Sequence, residues 1–198
     1  MERNNLFPVF LKLESLHTLI VGGGPVGLEK LTAILKNSSR ARVTLVARQI
    51  IQPLRELAAS HPEVTLVERN FRLWDLWDKD LVLLAANNRA LHETILKFAR
   101  SRRLLVNVAD TPDLCDFYMG SVVTKGNLKI GVSTNGKSPT ISKRLREYLE
   151  EALPEDTDEL LNNMSRIRDQ LKGDLSYKMR ELNRITSSML DPKTEGGS

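Results

Sequence analysis

A cluster of glycines at residues 22–24 separates a short apolar run from a helical pattern, and no other feature constrains the fold as strongly. The run HTLIV precedes the glycines. After them, apolar residues recur with the spacing of one helix face, at Val26, Leu31, Ile34 and Leu35. A buried strand that passes through a glycine turn into a helix is typical of the first unit of a parallel α/β sheet.

The alternation of strand and helix patterns continues to about residue 110. Four further apolar runs have the length of buried strands: ARVTLVA, EVTLVER, DLVLLAA and RLLVNVA. Helical patterns follow the first and third of these, in IIQPLRELAAS and ALHETILKFARSR. The upstream segment LFPVFLKL is predicted to add an edge strand, since Pro8 cannot donate within a ladder. These features predict an α/β fold with a Rossmann-like parallel sheet and helices on both faces.

The pattern changes after this region. FYMGSVVTKGNLKIGVST predicts an antiparallel hairpin around KGN. A helix follows, with Ser138 as its cap and Pro139 in its first turn, and ends near Pro154. Apolar steps of three and four residues predict further helix beyond it. We predict a nucleotide-binding α/β domain over residues 1–111 and a hairpin-and-helix segment over 112–148. A helical C-terminal domain over 149–190 and a disordered tail over 191–198 are predicted to follow.

Composition excludes several classes of protein. The longest apolar run, residues 81–86, is far shorter than a membrane span requires, and no secretory signal is recognisable, so we expect a cytoplasmic protein. A single cysteine excludes an internal disulfide, and no Cys/His spacing suggests zinc. The net charge of +4 could attract a polyanion, but aromatic residues are not interleaved with Lys and Arg, which argues against nucleic acid.

The glycine turn matches the pattern G-x-G-x-x-G at Gly22, Gly24 and Gly27. In this pattern the first glycine permits a tight turn, the second lets the backbone approach a pyrophosphate, and the third allows close helix packing. The fixed φ of Pro25 suits a first helical position. The pattern favours a dinucleotide site over a purely structural turn.

One element of that fingerprint is missing, because no acid follows the second strand to bind the ribose hydroxyls. Arg48 and Gln49 stand there instead. Arg48 could meet a 2′-phosphate, stack on adenine or point to solvent, and Gln49 could bind ribose. These residues alone leave the choice between NAD and NADP open.

The segment VNVADTPDLCDF places Asp110 at the end of the fifth strand, where ligands bind in such sheets. Asp110 could act as a general base, or it could cap the turn that DTPD predicts. Asp113 and Asp116 are assigned to that turn. Cys115 lacks a basic partner and is interpreted as a small buried residue. The segment has too few strong ligands for a metal site.

Three stretches, PVFLKLESLHTLIVGGGPVGLEK, NVAD and GVSTNGKSPTISKRLREYLEEALP, resemble the siroheme synthase family in order and spacing over about residues 6–154. The resemblance implies a stand-alone precorrin-2 dehydrogenase that oxidises precorrin-2 to sirohydrochlorin with NAD, within siroheme biosynthesis. It also implies a homodimer in which residues 112–148, a dimerisation segment, are exchanged between subunits. Because the family commonly lacks the ribose acid, NAD is preferred to NADP.

The resemblance also assigns residues. The essential aspartate falls on Asp110. The implied cofactor contacts are Gly22, Gly23, Gly24, Pro25, Val26, Gly27, Arg48, Gln49, Ala86 and Asn87. The VSTNG segment would line the cleft for the multiply carboxylated tetrapyrrole, with basic residues nearby. The implied substrate-binding residues are Asn107, Ser133, Thr134, Asn135, Lys137, Lys143 and Arg144.

Two alternatives stay open beside the dehydrogenase. One is a bifunctional enzyme that is also a sirohydrochlorin ferrochelatase, and the other is a non-catalytic dinucleotide-sensing module. The three histidines, His17, His61 and His92, are expected to lie away from the cleft, which disfavours a dedicated metal-delivery site.

Overall fold

A computed structural model describes residues 3–187 of the chain. Within this range, residues 5–119 form one compact unit, and residues 3–4 together with 120–187 form a second. The domain division expected from the sequence stays a prediction. The last residues of the expected helical domain and the whole of the expected tail, 191–198, lie outside the described residues.

The first unit contains a five-stranded sheet in which every neighbouring pair is parallel, in the order β3-β2-β1-β4-β5. The strands are β1 (His17–Val21), β2 (Arg42–Ala47), β3 (Val64–Glu68), β4 (Leu81–Leu84) and β5 (Leu105–Val108). The helices are α1 (Pro25–Asn37), α2 (Gln52–Ala59) and α3 (Arg89–Ser101). The predicted Rossmann-like fold is confirmed.

Two apolar clusters cover the two faces of this sheet. Ile20 and Leu45 belong to the cluster that contains Leu31 of α1 and Leu54 of α2. The opposite cluster joins Leu19 and Val82 to residues of α3, including Ile95, Leu96 and Ala99. Because both faces are buried, the central strands consist mostly of apolar residues, as the sequence indicated.

The prediction of an edge strand in LFPVFLKL is wrong. Residues 3–12 contain no strand, and Phe7 and Phe10 are 87% and 70% exposed. A strand forms only where its backbone groups pair with a neighbouring ladder, and Pro8 removes one of the donors. The segment instead leads into a short 3₁₀ turn, Leu13–Ser15.

The second unit contains the predicted hairpin, formed by β6 (Ser121–Lys125) and β7 (Leu128–Val132). Asp158 binds its turn, accepting hydrogen bonds from the backbone and side-chain nitrogens of Asn127 at 2.7 and 2.8 Å. Helix α4 spans Pro139–Ala152 and has the predicted cap, because Ser138 Oγ accepts the Ile141 N–H at 3.2 Å.

The remaining helical pattern is divided between α5 (Thr157–Gln170) and α6 (Leu175–Thr186), a break that the apolar spacing did not indicate. Gly173, with φ +138°, adopts a conformation that other residues rarely tolerate. Asp174 then caps the N-terminus of α6, and its carboxylate accepts a hydrogen bond from the Tyr177 N–H at 2.8 Å. None of the helices within residues 3–187 is long and apolar enough to cross a bilayer.

Candidate cofactor and catalytic site

The glycine turn between β1 and α1 packs against the loop that follows β4. Gly22 has φ +131°, and a Cβ atom there would lie 2.6 Å from the carbonyl carbon and oxygen of Ala85. The Ala85 N–H also donates to the Val21 carbonyl at 2.8 Å. Glycine is therefore required at position 22 by both conformation and space.

The other glycines of the turn divide into packed and open positions. A Cβ on Gly23 would lie 2.3 Å from the Gln49 carbonyl oxygen, and one on Gly27 would lie 2.2 Å from that of Gly22. Gly24, which caps α1, has no atom within 4 Å of its Cβ position. The open space therefore lies at the start of the helix, where the first N–H groups have no intrahelical acceptor.

This arrangement fits a dinucleotide. The open position at Gly24 lets a diphosphate approach the backbone, and the positive end of the α1 dipole favours the phosphate charge. Pro25 occupies the first helical position, where its missing N–H costs no hydrogen bond. Val26 follows it in the same turn. The residues that the sequence assigned to the glycine turn thus lie together at one end of β1.

The loop between β2 and α2 lies beside the turn. Arg48 and Gln49 are exposed in this loop, and the Ile51 N–H donates to the Gly23 carbonyl at 3.0 Å. The last residue of β2, Ala47, is small and buried. No carboxylate ends this strand, as the sequence indicated.

A carboxylate does lie at the end of the neighbouring strand β3, where Glu68 is the residue paired with Ala47. Its Oε1 accepts the Ile50 N–H at 3.2 Å, and its Oε2 lies 2.6 Å from Arg55. The hydrogen bond from Arg55, aided by that from Ile50, lowers the pKa of Glu68. Sequence analysis missed this residue, because the register that pairs it with Ala47 is not visible in one sequence.

Ala86 and Asn87 lie in the loop between β4 and α3, and a Cβ on Gly22 would be 2.8 Å from the Ala86 nitrogen. Asn88 ends the loop and caps α3, accepting the Leu91 N–H at 3.0 Å. The loop is therefore held at both ends, by β1 and by the helix cap.

His92 lies one turn into α3 and is only 8% exposed. Burial lowers its pKa, an effect opposed by the carbonyl of Ala86. Its Nε2 is buried without a hydrogen-bond partner among the described residues. His92 faces inward because it belongs to the α3 stripe with Ile95 and Ala99. The expectation that the histidines lie away from the cleft stays a prediction.

Asp110 lies just beyond β5, at the same edge of the sheet as the glycine turn. Its φ of +56° is in the left-handed region, and the preceding Ala109 N–H donates to the Leu84 carbonyl at 2.9 Å. The side chain is exposed. Within residues 3–187 its carboxylate forms no hydrogen bond or ion pair, so it does not cap the following 3₁₀ turn, Pro112–Leu114.

Asn107 is turned inward, with 6% exposure, and its Nδ2 donates to the Phe117 carbonyl at 2.9 Å. Beside it, Asp116 Oδ2 accepts the Val106 N–H at 3.0 Å. These bonds hold the segment that follows the 3₁₀ turn, residues 115–117, against β5. The first compact unit accordingly extends to residue 119. The substrate-binding role that the family resemblance implies for Asn107 stays a prediction.

Cys115 belongs to the same segment. Its Sγ lies 3.2 Å from both the N and O of Val108. Burial raises the pKa of the thiol. The side chain therefore stays protonated near neutral pH and lacks the thiolate that a nucleophile needs.

The substrate residues expected after the hairpin lie in the second unit. Ser133 Oγ accepts the Asn135 N–H at 3.2 Å, and Thr134 Oγ1 accepts the Ser138 N–H at 3.2 Å. Lys137 is exposed in the same loop. Lys143 and Arg144 are exposed on α4, 3.9 and 3.0 Å from Glu147.

Metal ligation has no candidate in the described part of the chain. No group of three or more His, Cys, Asp and Glu side chains that could hold a metal ion occurs among residues 3–187.

Comparison with known families identifies the first unit. A family described as "Putative NAD(P)-binding" matches residues 9–121, more than half of the chain, and the chain belongs to this family. A second family, described as "Sirohaem biosynthesis protein central", matches residues 125–152, which contain β7 and the whole of α4.

The chain is also similar to siroheme synthases. It is 34% identical over 165 residues to that of Pseudoalteromonas translucida, covering 83% of this chain and 34% of the relative. It is 31% identical over 172 residues to that of Vesicomyosocius okutanii subsp. Calyptogena okutanii, covering 87% and 36%. The resemblance predicted from the sequence is confirmed. The chain spans about a third of the length of these relatives.

A solved structure titled "SirC, precorrin-2 dehydrogenase" has the same fold. It superposes with a TM-score of 0.71, at 22% identity, over 94% of this chain and 90% of that one.

Proposed function

We propose that the chain is a precorrin-2 dehydrogenase that uses NAD⁺ to form sirohydrochlorin in siroheme synthesis. One observation carries this proposal. The open glycine turn and the exposed carboxylate of Asp110, which forms no hydrogen bond or ion pair among residues 3–187, lie at the same edge of one sheet. Similarity to siroheme synthases over both compact units supports the choice of substrate.

The reaction removes two hydrogens from the tetrapyrrole, one with its electron pair and one as a proton. NAD⁺ bound at the turn would supply the acceptor for the hydride. Gly24 and the first N–H groups of α1 would hold the diphosphate. Asp110, exposed and without a hydrogen bond or ion pair among residues 3–187, would accept the proton as general base.

Substrate carboxylates would be held by residues of the second unit. Ser133, Thr134 and Asn135 offer hydroxyl and amide groups, and Lys137, Lys143 and Arg144 are exposed cations that can pair with carboxylates. The resemblance to the family supports a homodimer with an exchanged middle segment and a cytoplasmic location, which we include in the proposal.

The proposal is tested by following tetrapyrrole absorbance anaerobically with purified protein, precorrin-2 and NAD⁺. NAD⁺-dependent formation of sirohydrochlorin supports it. Nucleotide binding without any oxidation would contradict it and favour the dinucleotide-sensing module. Addition of Fe²⁺ after oxidation tests chelation separately, as a spectral change faster than the uncatalysed rate.

A further inference from the structure

The loop between β2 and α2 is tied down at two successive backbone N–H groups. The Ile51 N–H donates to the Gly23 carbonyl at 3.0 Å, and the Ile50 N–H donates to Glu68 Oε1 at 3.2 Å. The first bond joins the loop to the glycine turn, and the second joins it to the end of β3. The exposed residues Arg48 and Gln49 immediately precede these two anchors.

Glu68 is itself held in place. Arg55, on the first turn of α2, donates to its second oxygen at 2.6 Å. Both side chains are roughly half exposed. The two oxygens of one carboxylate therefore connect β3 to the loop before α2 and to α2 itself.

The loop has little freedom on its other side. A Cβ on Gly23 would lie 2.3 Å from the Gln49 carbonyl oxygen and 3.1 Å from the Ile50 Cα. The backbone of the loop is thus in close contact with the glycine turn, and a shift of the loop would displace either the turn or the side chains beside it.

We propose that Glu68 is a positioning residue for the adenosine half of the cofactor, an inference that rests on the proposed nucleotide-binding function. In the usual fingerprint a carboxylate at the end of the second strand binds ribose directly. Here the carboxylate stands one strand away, at the position paired with Ala47, and both of its oxygens are engaged by protein donors. It acts by fixing the loop that presents Arg48 and Gln49.

The proposal separates two substitutions of the same residue. Glu68→Ala removes both the hydrogen bond from the Ile50 N–H and the ion pair with Arg55. Glu68→Gln retains an oxygen acceptor for the Ile50 N–H and loses the charge that pairs with Arg55. Arg55→Ala removes the ion pair alone. Glu56→Ala is the matched control, since Glu56 lies on the same short helix and accepts a hydrogen bond from Gln52 instead of from the loop or β3.

The experiment measures binding of NAD⁺ and of ADP by titration calorimetry, with thermal unfolding recorded for each variant. Loss of a hydrogen bond to a charged group predicts about tenfold weaker binding of both nucleotides by Glu68→Ala. Glu68→Gln and Arg55→Ala are each expected to weaken binding about threefold, and Glu56→Ala to leave it unchanged. The KM for the tetrapyrrole and the kcat at saturating NAD⁺ stay at the wild-type values.

Several outcomes would overturn the inference alone. These are wild-type affinity in Glu68→Ala, a loss for NAD⁺ without a loss for ADP, or an equal loss in Glu56→Ala. Should Glu68→Ala fail to fold, wild-type affinity in both Glu68→Gln and Arg55→Ala would overturn it, and a weakening confined to the nucleotides in either variant would support it. A wild-type chain that binds neither nucleotide would overturn the proposed function together with this inference.

Discussion

The carbonyl oxygen of Gly22 lies 2.2 Å from the position that a Cβ atom on Gly27 would occupy. Helix α1 therefore starts in contact with the backbone of the turn that precedes it, and any larger residue at position 27 would push the two apart. Gly24, between them, faces open space. Gly27 therefore allows the close packing of α1 on the turn, whereas Gly24 leaves room for a ligand.

This contrast predicts different effects for two alanine substitutions. Gly27→Ala should destabilise the protein by about 1–3 kcal/mol through overpacking. Gly24→Ala should leave the unfolding temperature near that of the wild type, because its backbone is not left-handed and its Cβ meets no atom, yet weaken NAD⁺ binding at least about tenfold. Thermal unfolding and calorimetric titration check both. Wild-type affinity in Gly24→Ala would rule out close approach of the cofactor at this position.

Asp110→Asn should greatly slow turnover and preserve nucleotide binding. Asparagine tolerates the left-handed backbone that Asp110 adopts, so the loop should keep its shape while the base is lost. Loss of a general base lowers kcat by about 10²–10⁴-fold. Asp113→Asn is the matched control, because Asp113 is exposed in the adjoining 3₁₀ turn. Equal activity in Asp110→Asn and the wild type would exclude Asp110 as the base.

Much of the fold could be predicted from local pattern, because strands buried on both faces are continuously apolar and helices repeat every three or four residues. The same reasoning failed for LFPVFLKL, where apolar composition could not reveal that residues 6–13 pair with no strand in the described part of the chain. The interactions of Glu68 with the Ile50 N–H and with Arg55 could not be predicted, since they depend on the register between β2 and β3. The inward position of His92 could be predicted, because His92 shares the helical spacing of Ile95 and Ala99.

Stability should depend on pH through the buried histidines. Burial lowers the pKa of His92 and of His17 below 6.5 in the folded chain. The unfolded chain therefore binds more protons than the folded chain as pH falls below about 6.5, so the free energy of unfolding decreases there. His92→Gln should flatten this decrease between about pH 7 and pH 5, measured by urea unfolding.

Carboxylates do not obscure that window. The lowered pKa values of Asp75 and Glu68 lie below 3.8 and 4.5, so their stabilising contributions are complete above those values and are lost only in more acidic solution. An unchanged pH dependence in His92→Gln would show that protonation of His92 does not limit stability.

Cys115 should resist alkylation in the folded protein. Its thiol is half-buried against Val108, and burial raises its pKa, so little thiolate exists near pH 7.5. Iodoacetamide should label it slowly in buffer and rapidly in denaturant, as followed by intact mass. Rapid labelling of the native chain would mean that the segment around Cys115 separates readily from β5.

The central claim is that one edge of the sheet binds NAD⁺ and removes a proton from the tetrapyrrole. The most direct measurement is an anaerobic single-turnover assay with precorrin-2 and NAD⁺, comparing the wild type with Asp110→Asn. We predict that the wild type forms sirohydrochlorin only when NAD⁺ is present. We also predict that Asp110→Asn binds NAD⁺ with wild-type affinity but forms sirohydrochlorin at least about 10²-fold more slowly. Sirohydrochlorin formation at equal rates in both proteins, or none in the wild type despite bound NAD⁺, would contradict the account.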